Sequence, residues 1–309
     1  MLKIGVQSAG WYDRDRPLES FEYIKSCGFE AIDFNMDHYL SPGKLAKEGL
    51  MPTFFDQTTE EIIEFFRPLG EAAEKTGVEI AQMHAPFPCW YPDRDDVNEY
   101  IRMALDKCFA VCEAVKCPAI VVHPAGAPSK FTEWEYNLTL YRSLIPLIKK
   151  YSGVKICLEN IFFTRPNRLI EGRFAEASEA VRMIDLLNEE AGGDYFGFCL
   201  DVGHANLTRR NIRDFINILG HRLTILHIHD NNGMDDQHIV PYSCLATNSS
   251  HVCDWDGFAD GLRDIGYDGV LAFETFRIFS AYPAPVHTEV LKLISAIGRY
   301  WKERIKAEE

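Results

Sequence analysis

The chain has 309 residues, 47% of them apolar and 25% charged, with a formal net charge of -14. That length and apolar fraction suit a globular chain that buries a substantial core, and a single domain over 1–309 is expected. The negative balance argues against capture of nucleic acid or of an anionic membrane, because a field of that sign repels polyphosphate.

Nine cysteines without a C-x-x-C pair do not form the even framework of a secreted disulfide scaffold, so reduced core thiols are expected. The first residues run straight into strand-like sequence with no leader pattern, and no apolar run reaches membrane-spanning length. A cytoplasmic protein is the expectation.

In chain order, short apolar or alternating runs at 2–8, 31–36, 78–84, 119–123, 155–160, 196–201, 224–230 and 269–275 read as strands. Between them, apolar residues at three- and four-residue spacing predict helices over 18–27, 59–76, 97–115, 133–150, 175–189, 211–219, 255–265 and 285–306. Eight alternating units imply parallel strands with helical crossovers, and the unbroken composition favours a closed (β/α)₈ TIM barrel over an open doubly wound sheet. Lys75-Thr76-Gly77 predicts a helix stop and Asp254 a helix cap. The irregular stretches 37–56, 86–96, 160–175 and 231–253 all follow strands. Long loops therefore gather on the face where barrel enzymes build their sites.

Nearly every strand candidate ends polar: Gln7, Asn35, His84, His123, Glu159, Asp201 with His204, His227 with His229 and Asp230, and Glu274. Burying an unpartnered carboxylate costs roughly several kcal/mol, so carboxylates converging at one barrel end require a cation or each other. Glu159, Asp201, His227 and Glu274 are the expected ligands of one divalent metal. Three carboxylates and one imidazole suit Mn²⁺, Mg²⁺ or Co²⁺, with Zn²⁺ also compatible. His204 and the Asp236-Gln237-His238 loop pair, together with His84 and His123, are candidates for substrate contacts or further metal. His229 is expected to point to the opposite side from His227, as a structural group or one that supports a ligand and not as a ligand itself, and Cys108 and Cys112 are assigned no chemistry. Trp11, Trp90 and Tyr91 are expected on mouth loops, either stacking on a ligand or covering the site, or as loop anchors.

The segments Leu158-Glu159-Asn160, Leu200-Asp201-Val202-Gly203-His204, His227-Ile228-His229-Asp230-Asn231 and Phe273-Glu274-Thr275 resemble the xylose isomerase-like barrel superfamily. It includes sugar and sugar-phosphate isomerases and epimerases, an inositol-pathway dehydratase and the endonuclease IV group. The resemblance runs through essentially the whole chain. It implies that Glu159, Asp201, His227 and Glu274 hold one metal and that Glu159 and Glu274 also move protons, through an enediolate that a cation stabilises. It further implies that His204 meets a substrate hydroxyl. A small-molecule sugar is the implied partner, and a homo-oligomer is an analogy from the family.

Two departures bear on the substrate. Arg165 stands where free-ketose epimerases commonly carry an acidic contact, so Arg165, Arg168 and Arg277 are candidate contacts to a phosphate or carboxylate. His84, His123, Glu159, Asp201, His204, His227, Asp236, His238 and Glu274 also resemble, in order, the ligand series by which endonuclease IV holds three zinc ions. The leading expectation is a metal-dependent sugar isomerase or epimerase. A lyase or dehydratase acting on a keto-sugar or keto-inositol is the alternative, and a three-zinc phosphodiesterase the less favoured one.

Overall fold

The computed structural model describes residues 2–127, 129–165, 168–245 and 251–306, and for 164–165 and 168–170 the backbone alone. Its strands are β1 (Lys3–Gln7), β2 (Ala31–Asn35), β3 (Glu79–His84), β4 (Ala119–Val121), β5 (Lys155–Glu159), β6 (Phe162–Arg165), β7 (Arg168–Glu171), β8 (Phe196–Asp201), β9 (Leu223–His227) and β10 (Val270–Phe273). Its α-helices are α1 (Pro17–Ser26), α2 (Pro42–Glu48), α3 (Thr59–Thr76), α4 (Asp95–Ala114), α5 (Glu133–Ile148), α6 (Ala177–Ala191), α7 (Val202–Leu207), α8 (Ile212–Leu219), α9 (Trp255–Asp264), α10 (Ile278–Ala281) and α11 (His287–Lys306).

Eight strands form one parallel sheet in the order β10-β1-β2-β3-β4-β5-β8-β9. The amide of Ile228 donates to Ala272 O at 2.9 Å and that of Glu274 to Ile228 O at 3.0 Å, joining β9 to β10 and closing the barrel. This is the TIM barrel expected from the alternation of apolar runs. Helix faces pack outside it: Phe21 and Ile24 of α1, Phe66 and Leu69 of α3, Ile184 and Leu187 of α6, and Trp301 of α11 are all buried. Inside the barrel, the small side chains of Ala119, Val121, Cys157 and Cys199 pack with Ile225.

The boundary signals act as expected. Gly77 ends α3 in the left-handed conformation at φ 72°, which glycine adopts without a Cβ clash. Asp254 caps α9 by accepting from Gly257 N at 2.8 Å. All nine cysteines are free, and no helix among the described residues is long and apolar enough to cross a membrane.

Other stretches carry more structure than periodicity suggests. The segment after β5 forms the antiparallel hairpin β6–β7, with Phe162 opposite Glu171. The six residues of α7, all buried, follow β8 without a loop. Six strands also stop earlier than their apolar runs, four of them next to candidate site residues. Regular pairing ends at Val121, Glu159, His227 and Phe273, so His123, Asn160, His229 and Glu274 lie where the chain leaves the barrel wall.

A candidate metal and acid–base centre at the barrel mouth

The carboxyl ends of the strands deliver the polar groups. His84, Glu159, Asp201 and His227 are the last residues of β3, β5, β8 and β9, and Glu274 follows β10 directly. All five are buried. Their convergence follows from strand parity, since each is the terminal inward residue of an otherwise apolar strand.

Glu159 lies between two imidazoles: its Oε2 is 3.0 Å from His123 Nε2, and its Oε1 is 3.5 Å from His227 Nδ1. Glu274 Oε2 is 3.6 Å from the same Nδ1. Gln7 Nε2 donates to Glu274 Oε1 at 2.6 Å and fixes that carboxyl. Asp201 has a second duty as the N-cap of α7, its Oδ1 accepting from His204 N at 2.6 Å. That bond orients the carboxylate and places the His204 ring over Glu159, with Nδ1 3.4 Å from Oε1.

Every one of the nine residues in the longer series belongs to a group whose ligand atoms lie within 4.8 Å of one another. Glu159, Asp201 and His227 form one group, and His84, His123 and Glu159 another. His84, His227 and Glu274 form a third, Asp201, His229 and Glu274 a fourth, and His204, His229, Asp236 and His238 a fifth. Glu274 thus joins His227 and Asp201 through different groups, and the four expected ligands do not meet as a single set.

These donors fit a cation. His227 Nδ1, the Nδ1 atoms of His84 and His123, and Asp236 Oδ1 are buried with no hydrogen-bond partner among the described residues. Orphaned buried donors of this kind are costly unless something charged meets them. Oxygen and imidazole donors together suit Mn²⁺, Co²⁺ or Zn²⁺.

Electrostatics separates the carboxyls. Burial raises Glu274 to about 8, with Asp201 and Glu159 adding to the rise and His227 opposing it. Glu159 is held well below the usual range, because His123 and His227 outweigh the opposing effect of burial. Burial alone would lower His204, yet Asp201, Asp236 and Glu159 raise it to about 10. His84 falls to about 4 through burial and the neighbouring His123 and His227.

His229 was expected to face away, and here the structure corrects the sequence. Residues two apart share a face of a strand, so His229 follows His227 to the mouth, where its Nε2 is 3.1 Å from Asp201 Oδ1. Asp33, in the middle of β2, was missed. It is buried with Oδ2 3.3 Å from His227 Nε2, and its signal was a carboxylate inside the apolar run Ala31-Ile32-Asp33-Phe34. The expected anion contacts fare differently from one another. The side chains of Arg165 and Arg168 lie outside the described residues, and Arg277 is exposed, its guanidinium 5.5 Å from the Phe276 ring. Trp11 anchors its loop, donating to Gln7 O at 2.6 Å, whereas Trp90 and Tyr91 line a cavity beside the mouth.

The mouth holds a cavity of about 350 Å³ bounded by His84, His123, Glu159, His204, Asp236 and Glu274, with Phe87, Phe162 and Phe276 as apolar walls. A larger cavity of about 700 Å³ lies at the other end, among the first residues of β3, β5 and β10.

Residues 21–294 match the family model described as the xylose isomerase-like TIM barrel. The chain belongs to that family. An uncharacterised protein of Methanocaldococcus jannaschii is 28% identical, the match covering 100% of this chain and 94% of the relative. A solved D-tagatose 3-epimerase-like protein superposes with a TM-score of 0.69 at 21% identity, over 98% of each chain. The 3-keto-D-glucoside 4-epimerase of E. coli gives 0.66 at 17% identity, over 96% of this chain and 100% of its own. At these identities the two structures establish a shared fold.

Proposed function

We propose that this protein is a metal-dependent isomerase or epimerase of a ketose or ketose derivative, moving a proton at the carbon beside the carbonyl. The observation that carries the reading is the pair Glu159 and Glu274. Both are buried, both stand within 3.6 Å of His227 Nδ1, and both open onto one cavity of sugar size. The names of the two solved relatives, a tagatose 3-epimerase-like protein and a keto-glucoside 4-epimerase, support the same chemistry.

Glu159, Asp201 and His227, which form one group, would hold the cation with Glu274 beside it, and its Lewis acidity would polarise the substrate carbonyl and make the neighbouring C–H acidic enough for a carboxylate. The protein's own groups divide the remaining work. Glu159, kept ionised by His123 and His227, is suited to accept the proton from carbon. Glu274, raised to about 8 in the metal-free protein, takes up a proton more readily than Glu159 and is suited to deliver one to the other face. Gln7 holds the delivering carboxyl in place, and His204, beside Glu159 in the cavity wall, meets a substrate hydroxyl. The phenyl walls exclude water, which strengthens each of these contacts.

The test is to incubate the metal-supplemented protein with a panel of free and phosphorylated ketoses in D₂O. Solvent deuterium on carbon with the atom count of the sugar conserved supports the reading. Loss of water or of an aglycone instead identifies the lyase alternative, and no exchange from any ketose overturns the proposal.

A second reading is favoured by the further groups His84, His123, Glu159 and His204, His229, Asp236, His238. Three cations here would suit hydrolysis of a phosphodiester. Elemental analysis of the purified protein separates the two, since one ion per chain fits the sugar reading and three zinc ions the hydrolase.

A further inference from the structure

Beside the mouth lies a second cavity of about 330 Å³, walled by Phe87, Trp90, Tyr91, Pro124, Gly126 and Arg173, with no carboxylate among the described residues that line it. Arg173 is 8% exposed and makes no ion pair and no side-chain hydrogen bond among the described residues. Its Nε is buried without an acceptor, and so is the indole Nε1 of Trp90 in the same wall. Two orphaned donors, one of them charged, thus share one cavity. The acid whose field reaches Arg173 is Glu133, at the start of α5, and it lies beyond ion-pairing distance.

The guanidinium is held in position. Its plane sits over the Phe163 ring at 4.3 Å, and its backbone is tied to the mouth by Ile161 N donating to Arg173 O at 2.9 Å. Gly126 leaves room for it, since a Cβ there would stand 3.1 Å from Arg173 Nη2. A buried, unpaired guanidinium is costly, and a planar fork of donors is the group that matches phosphate or carboxylate oxygens two at a time.

This cavity adjoins the mouth. Phe87 lines both cavities and packs on His123 with ring centroids 4.5 Å apart. The strand exit runs from His123 to Gly126 in three residues, a reach of at most about 10 Å. That is the length of a short sugar chain bearing a terminal acidic group.

We propose that Arg173 and Trp90 form an anion subsite, which holds the phosphate or carboxylate of an acidic sugar whose carbonyl end lies at Glu159. The proposal rests on the reading of the mouth as a sugar site. It places the anion contact after the β6–β7 hairpin, where Arg173 stands, and not at Arg277.

The test uses the full chain with metal and three pairs of sugars that share a skeleton: D-ribulose with D-ribulose 5-phosphate, D-fructose with D-fructose 6-phosphate, and D-tagatose with D-tagaturonate. Calorimetry gives the affinity ratio within each pair. At least one pair is expected to favour the anionic member tenfold or more, and the responding pair distinguishes phosphate from carboxylate. R173M is expected to bring that ratio close to one and R173K to keep part of it. W90F, which removes one donor and retains a ring, is expected to lower it several-fold, so the idea remains testable if R173M fails to fold. A ratio near one for all three pairs in the unaltered protein, or a ratio that R173M leaves intact, overturns the subsite. Deuterium exchange from ketoses alongside a ratio near one would sink the subsite and leave the sugar reading standing. An anion preference lost in R173M without exchange from any ketose would do the reverse.

Discussion

His123 Nε2 stands 3.0 Å from Glu159 Oε2, while the other oxygen of the same carboxylate faces His227 Nδ1 at 3.5 Å. Glu159 therefore belongs to two of the candidate metal groups at once. Glu159→Ala is expected to weaken metal binding by more than about 100-fold, beyond what loss of an outer partner costs. Glu159→Gln keeps an oxygen donor and is expected to retain metal at saturating concentration. Competition with a coloured chelator measures both.

Asp33 acts on the site through His227. With Nδ1 turned to the glutamates, the Nε2 of that ring faces Asp33 Oδ2 at 3.3 Å, the arrangement by which a carboxylate fixes the orientation of a ligating imidazole. Asp33→Asn is expected to cost about 10- to 100-fold in metal affinity while the far-ultraviolet circular dichroism stays that of the parent. Unaltered affinity would show that Asp33 is merely accommodated.

Metal uptake should expel protons. Glu274 at about 8 and His204 at about 10 are both raised, so both carry a proton at pH 7 in protein stripped of metal. A cation competes with those protons, and affinity accordingly rises as pH climbs towards 8 and falls in acid. Calorimetry at pH 7 in two buffers of different ionisation heat is expected to give net release of about one proton or more per chain. Net uptake would contradict the assignment.

Gly203 in α7 has no room to spare. A Cβ there would come within 2.0 Å of His229 Cε1, and His229 is itself fully buried against Asp201. Gly203→Ala is expected to destabilise the fold by roughly 1–3 kcal/mol, the usual cost of overpacking, read from the midpoint of urea denaturation. It should also weaken any metal held by His204, His229, Asp236 and His238.

Much of this was legible in the sequence because the barrel is built on two periodicities that apolar residues report directly. Runs such as Ile156-Cys157-Leu158 and Phe198-Cys199-Leu200 mark buried parallel strands, and the polar residue ending each one marks the mouth. What could not be read depends on three-dimensional neighbours. His229 lies two residues past His227, beyond the end of β9, and its position beside Asp201 depends on the path of the chain as it leaves the strand. Asp33 carries no motif, and its partner His227 is distant in sequence. Arg173 belongs to no motif. Its meaning comes from burial, from Phe163 beneath it and from the missing carboxylate around it.

The most direct test of the account is positional deuterium exchange by the parent, Glu159→Gln and Glu274→Gln proteins, all at saturating metal, with a ketose that the parent turns over. The account predicts that the parent interconverts the two epimers, or the ketose and its isomer, with solvent deuterium entering at the reacting carbon, and that neither variant does so although metal remains bound. Full turnover by either variant would contradict the assignment of Glu159 and Glu274 as the proton-transfer pair.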